Sequence, residues 1–290
     1  MSEPVLPRVA RRDLDTPAGP IALLEADGGA GTPALLVPGY TGSKEDFALI
    51  LAPLAAAGRR VVAMDQRGQF ESPGPDDPAA YTVDALAADV RTVMAELTGP
   101  DGGPVHLLGH SFGGLVCRGM ALADPAAVAS LVLLGSGPSA IGGQRRSLMD
   151  VLRPVLAAGG VAAVYQQLEA LAAADPRVAR QPPELREFLR RRFLASSPVA
   201  LQGMGDALRG EPDRVQALRD TGVPVLVAYG AGDDSWSPAV QAEMAHRLGA
   251  RHAVIPGAAH SPAFENPRTT MELVRDFWFD VESEAEQAVG

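Results

Sequence analysis

The sequence holds one cysteine, Cys117, and one lysine, Lys44. A single thiol excludes an intrachain disulfide and fits a reducing compartment, so a cytoplasmic location is expected. Aromatic residues make up only 5% of the chain, which argues against a large aromatic cage. No stretch reaches the roughly 18 uninterrupted apolar residues of a membrane span. Arg11 and Arg12 are followed by Asp13, Asp15 and Pro17 rather than by an apolar run, so no export signal is expected. Positive charge is also in deficit. The formal net charge of −10 repels phosphate backbones and anionic lipid, so neither nucleic acid nor membrane is expected as a partner. None of the histidines stands at metal-ligand spacing from acidic or cysteine partners, and no metal or cofactor is expected.

What is present is arginine, alanine and a regular rhythm. The preference for arginine over lysine, beside abundant alanine, reads as the codon bias of a GC-rich genome. Arg145 and Arg146 are therefore not read as a binding site, and Arg190, Arg191 and Arg192 are expected on a solvated helix face. The chain is 47% hydrophobic and 21% charged, ordinary for a globular protein. Residues 1–20 are polar and punctuated by proline, an arm leading to a first strand near residue 21. Short apolar runs then recur at 34–38, 60–65, 105–109, 130–134, 223–229 and 251–255. Continuous apolarity over so few residues predicts strands buried on both faces, as in a parallel sheet. Helix-length stretches at 45–57, 83–97, 112–123, 238–248 and 268–279 alternate with them, which predicts βαβ units.

One region breaks the rhythm. From about 139 to 221 no strand-like run occurs, only helical segments interrupted at Gly159 and Gly160, at Pro182 and Pro183, and at Pro212. A single crossover needs far fewer residues, so this stretch predicts an all-helical cap. Its apolar residues Met149, Leu152, Leu156, Tyr165, Phe188, Phe193, Leu201 and Met204 are expected mostly in the cap core, with two or three facing a pocket. The acidic tail from Glu282 is expected to fray.

The chemistry is carried by Gly109-His110-Ser111-Phe112-Gly113. This G-x-S-x-G directly follows an apolar strand and directly precedes a helix, the context of a nucleophile elbow. The turn forces the serine into a strained backbone and lifts its Oγ clear of the sheet, and the helix start beneath favours a developing anion. An acid and then a histidine should follow. The loop at 230–238 supplies Asp233 and Asp234 after one strand. The loop at 256–262 supplies His260 after the next, one helix and one strand further on. Both loops lie at the carboxyl ends of their strands, on the edge that carries Ser111. His260 is thus the expected general base. His106 is expected within a buried strand, His246 on an exposed helix turn, His252 at the start of an edge-side strand, and His110 as support for the elbow.

The elbow, the 230–238 loop and His260-Ser261-Pro262-Ala263-Phe264-Glu265-Asn266-Pro267 together resemble the α/β-hydrolase superfamily, within it the branch of serine esterases, lactonases and cofactor-free haloperoxidases. The resemblance implies a mostly parallel, eight-stranded sheet with helices on both faces. Residues 1–138 and 216–290 would form the core and 139–215 the inserted cap. It also bears on the acid. The family places it three residues after the strand-end glycine and three before an apolar residue, and both Gly230 and Trp236 then point to Asp233. A proline four residues after the acid would instead point from Pro238 to Asp234. Asp233 is preferred, leaving Asp234 to cap the helix opening near Pro238. The oxyanion hole is expected from the amides of Phe112 and Tyr40. The loop Pro38-Gly39-Tyr40 stands where relatives carry His-Gly-x. Residues 65–72 resemble the family's D-x-R-G-x-G-x-S loop, with Phe70 in place of a glycine, and are read as structural support for the oxyanion loop.

The expected activity is hydrolysis of a small or medium ester, lactone or thioester through an acyl-enzyme on Ser111, with a small-molecule acyl substrate as the expected partner. Two alternatives remain: a ligand-binding protein that keeps the fold with little turnover, and an accessory thioesterase acting on a carrier-bound acyl chain.

Overall fold

The computed structural model describes residues 6–173 and 181–289. The first five residues of the N-terminal arm, residues 174–180 of the expected cap and Gly290 of the tail lie outside that description. Eight strands form one sheet: β1 (Val9–Leu14), β2 (Ile21–Asp27), β3 (Gly31–Val37), β4 (Arg59–Met64), β5 (Val105–His110), β6 (Val128–Leu134), β7 (Val225–Gly230) and β8 (Arg251–Ile255). In space the order is β1-β2-β4-β3-β5-β6-β7-β8. From β4 to β8 neighbouring strands run parallel. β2 is antiparallel to β4, and β1 to β2. Strand β1 corrects the reading of residues 1–20 as an arm. Its sequence Val-Ala-Arg-Arg-Asp-Leu has no apolar face because it is an edge strand, where charged side chains deter pairing with another chain.

The helices are α1 (Ala48–Ala55), α2 (Val83–Thr98), α3 (Phe112–Ala123), α4 (Gly143–Ala172), α5 (Pro183–Ala195), α6 (Pro198–Gly210), α7 (Val215–Asp220), α8 (Pro238–Leu248), α9 (Pro262–Glu265) and α10 (Pro267–Val289). Alternate strand residues point to opposite faces. Leu35, Val37, Leu107, Leu131 and Val227 therefore pack in one core with α2, α3 and α8. Leu36, Leu108, Val132, Leu134 and Ala228 pack in a second core with α1 and α10. The stretch expected as one helix at 45–57 divides into a 3₁₀ turn, Lys44–Phe47, and the short α1.

Between β6 and β7 the described residues form helices and no strand. Of the expected breaks, the first is a kink inside α4 at Gly160, whose φ of 68° is left-handed. The second precedes α5 and the third follows α6. By length and composition α4 could cross a membrane, yet the kink divides it into two arms. α6 already packs into the first core through Ala200, Met204 and Leu208, and α7 follows with Val215 and Leu218.

The tail does not fray from Glu282 as expected, since α10 continues to Val289. The Glu282 carboxylate accepts from Arg59 Nη1 and Nη2 at 2.8 and 2.9 Å and lies 3.2 Å from His106 Nε2. Burial opposes ionisation of Glu282, but the hydrogen bonds from His106 and Arg59 hold its pKa down at about 2. His106 is stacked on Trp278 at 5.2 Å, and burial depresses its pKa, so it is a neutral core histidine.

Candidate active site

Strand β5 ends in the elbow. Ser111 sits at φ 54°, ψ −120°, a conformation that costs a non-glycine residue about 1–3 kcal/mol. The flanking glycines let the elements approach that closely. A Cβ on Gly109 would stand 2.3 Å from the Gly113 carbonyl oxygen, and one on Gly113 2.3 Å from that of Val37. The surrounding packing holds the strain in place, since every residue from Phe112 to Ala121 on α3 is buried.

Ser111 Oγ lies 2.9 Å from His260 Nε2, and His260 Nδ1 lies 3.0 Å from Asp233 Oδ1. The serine, histidine and aspartate singled out in the sequence are thus brought into one hydrogen-bonded chain. Asp233 has a fully buried side chain. Its Oδ1 also accepts from the Ser235 amide at 2.9 Å, and its Oδ2 accepts from Gln241 Nε2 at 2.9 Å. Burying a carboxyl group is costly unless its oxygens are hydrogen-bonded, and here both are. Asp234 points the other way. It is exposed and pairs with Arg145 of α4 at 2.9 Å, and those contacts lower its pKa although partial burial opposes them. The expectation that Asp234 caps the following helix is corrected, because Ser237 fills that position by accepting from the Val240 amide.

Two supports escaped the sequence reading, and a third was named with less than its full role. Gln241 lies on α8, eight residues beyond Asp233, and only the packed helix aims it back. Glu265 accepts from the amides of Ala259 and Ser261 at 2.7 and 3.0 Å, bracing the His260 loop on both sides. His110 does more than support the elbow: its Nε2 lies 2.7 Å from the His260 carbonyl oxygen. A carbonyl can only accept, so Nε2 carries the proton. Burial and the neighbouring His260 push the pKa of His110 down to about 4, so the ring is neutral near pH 7.

The loop after β3 passes against Ser111, since a Cβ on Gly39 would meet Ser111 Cβ at 2.9 Å. Neither the Tyr40 nor the Phe112 amide has a backbone acceptor among the described residues. Gln66 Nε2 donates to the Pro38 carbonyl at 2.9 Å and Gln69 Nε2 to that of Gly39 at 2.8 Å, so residues 65–72 do brace this loop. The Tyr40 hydroxyl donates to Leu201 O of α6 at 2.9 Å, and burial raises its pKa. Phe70, where the related loops carry glycine, holds a φ of 40°. Its ring meets Phe188 edge-on at 5.8 Å and lies 4.9 Å from Lys44 Nζ. Lys44 is itself wholly buried against Asp65 and Glu71.

A cavity of about 520 Å³ opens over Ser111 and His260, and the helical insertion roofs it. Met149, Leu152, Leu156, Phe193 and Leu201 line it, more than the two or three expected, while Tyr165, Phe188 and Met204 do not. Arg145 and Arg192 also reach it, and for Arg192, 13% exposed, this corrects its placement on a solvated helix face. Arg192 pairs with Asp46 across the cavity mouth, whereas Arg190 does stay on the exposed face with Glu187. Among the described residues, no cluster of three His, Cys, Asp or Glu side chains could hold a metal.

Residues 34–273 match the alpha/beta hydrolase family. A putative carbamate hydrolase, RutD, of Variovorax paradoxus is 40% identical over 130 residues, 43% of this chain and 47% of that protein. The dihydrolipoyllysine-residue acetyltransferase component of the acetoin cleaving system of Pseudomonas putida is 33% identical over 245 residues, 83% of this chain and 62% of that one. The chain thus spans less than two thirds of either relative. A thermophilic esterase from Thermogutta terrifontis superposes with a TM-score of 0.74 at 26% identity, over 94% of this chain and 99% of that one.

Proposed function

This chain belongs to the alpha/beta hydrolase family, and from that premise we propose that it hydrolyses a carboxylic ester, lactone or thioester through an acyl-enzyme on Ser111. The supporting observation is the unbroken chain from Ser111 Oγ through His260 to the buried Asp233. Ser111 Oγ attacks the substrate carbonyl carbon while His260 Nε2 takes its proton. Asp233 holds the imidazole with Nδ1–H towards Oδ1 and stabilises the imidazolium that forms. The tetrahedral oxyanion rests on the Tyr40 and Phe112 amides. Collapse breaks the bond to the leaving alcohol or thiol, which receives the proton from His260. A water activated by the same histidine then attacks the acyl carbon, releases the carboxylic acid and returns the proton to Ser111.

Two measurements test this reading. Ser111→Ala should lower kcat for p-nitrophenyl butyrate by about 10⁴–10⁶-fold while the protein stays folded. A fluorophosphonate probe should label Ser111 in the unmodified protein. Retained turnover in Ser111→Ala would overturn the assignment, and tight ligand binding without turnover or labelling would favour a binding protein instead.

A further inference from the structure

The insertion presents the cavity with an apolar wall bent from a single helix. Leu148, Leu152 and Leu156 recur every four residues on the first arm of α4 and all line the cavity. The break at Gly160 redirects the helix, and Val164 and Leu168 of the second arm face the same space, with Phe193 of α5 beside them. The left-handed φ of Gly160 is what makes this turn possible, since side chains rarely tolerate it. From Leu148 to Leu156 the stripe runs about 12 Å.

The charged groups of the cavity are engaged with one another. Arg145 pairs with Asp234, Arg192 with Asp46, Arg153 with Asp206, and Arg209 with both Asp206 and Asp150. Glu265 is held by the Ala259 and Ser261 amides. His110 is neutral near pH 7 through burial. Each guanidinium lining the cavity is thus matched by a carboxylate, so a carboxylate at the far end of a substrate would meet no uncompensated positive charge there.

From this we infer that the substrate carries a neutral, unbranched aliphatic chain of medium length, laid along the apolar stripe of α4. The inference rests on the serine-hydrolase reading of Ser111 and adds the substrate class to it. An extended chain advances roughly 1.3 Å per staggered bond, so about 12 Å accommodates on the order of eight to ten carbons.

The test is a series of p-nitrophenyl esters from acetate to dodecanoate beside a series of alkyl acetates, which separates an acyl-side chain from an alcohol-side chain. In one series kcat/KM should rise about fourfold per methylene and peak in the medium range. The p-nitrophenyl half-ester of suberic acid, with its terminal carboxylate, should be slower than the octanoate by tenfold or more. Leu152→Trp should move the optimum to shorter chains, and Leu168→Phe serves the same purpose if the first variant fails to fold. A maximum at the shortest member of both series, a faster half-ester, or a chain-length profile untouched by both variants would each overturn the inference. In those cases fluorophosphonate labelling of Ser111 would persist. Loss of labelling together with all turnover would overturn the serine-hydrolase reading itself.

Discussion

From Val105 to Met120, strand β5, the elbow and most of α3 are buried at every residue, whereas α4, which roofs the same cavity, buries only Val164. The two regions hold their side chains by different means. Below, backbone strain at Ser111 and hydrogen bonds to Asp233 are locked by packing that leaves no alternative. Above, half-exposed leucines and partly exposed ion pairs shape a wall. Errors in the first region should therefore abolish turnover, and changes in the second should redirect it.

Asp233 and Asp234 bring that contrast down to adjacent residues, and they give the largest expected effect. Asp233→Asn removes the negative charge and puts an N–H donor where one of two accepting oxygens stood, which favours the wrong His260 tautomer and should lower kcat about 10⁴-fold. Asp234→Asn removes only an exposed ion pair with the insertion and should leave kcat nearly unchanged. Steady-state kinetics on one chromogenic ester compares the two, and equal losses would erase the distinction.

Next comes the junction of the regions. Arg118 of α3 is 1% exposed and donates to Glu211, beyond the end of α6, and to the Pro138 carbonyl. Arg118→Met leaves the Glu211 carboxylate with only Arg214 and should cost about 3 kcal/mol in urea unfolding. Turnover per folded molecule should persist, because Arg118 touches none of the reacting groups. Stability unchanged by the substitution would mean that the insertion does not lean on this pair.

How legible these regions were in the sequence follows the same division. The central strands were readable because a residue buried on either face must be apolar, and a run of such residues is visible by itself. Ser111 and His260 were readable because each follows such a run in a loop on one sheet edge. β1 was hidden because an exposed edge strand has no apolar face. Arg192 was misread because its partner, Asp46, lies 146 residues away. A helical arginine carries no local mark of whether it faces water or a carboxylate. The aspartate that meets His260 was readable only to within one residue. The deciding donors, the Ser235 amide and the Gln241 side chain, take their positions from the packed loop and helix.

A smaller effect concerns the side of the sheet away from the insertion. Glu282 keeps its pKa at about 2, against 4.5 for an ordinary glutamate. Between those values the folded chain binds fewer protons than the unfolded one. This stabilisation is therefore complete above about pH 4.5 and is lost as pH falls towards 2. Glu282→Gln should lower stability at neutral pH and flatten the acid limb, read from urea midpoints across that range. An unaltered acid limb would mean that α10 is held by its other contacts, the buried Val274, Phe277, Trp278 and Val281 and the pairs of Arg251 with Asp280 and Glu284.

The smallest expected effect is the most informative about the roof. Arg145 and Asp234 are 44% and 64% exposed, so water screens their attraction. Such pairs contribute about 0–1 kcal/mol, and Arg145→Ala should barely alter the unfolding midpoint. The pair nevertheless joins the first turn of α4 to the residue beside Asp233. Loosening it should let the Leu148 end of the apolar stripe move relative to His260. KM for medium-chain esters should then rise while kcat for acetate stays level. A fall in kcat for every ester alike would show that the roof positions the reacting groups as well as the substrate chain, and the separation of the two regions would fail.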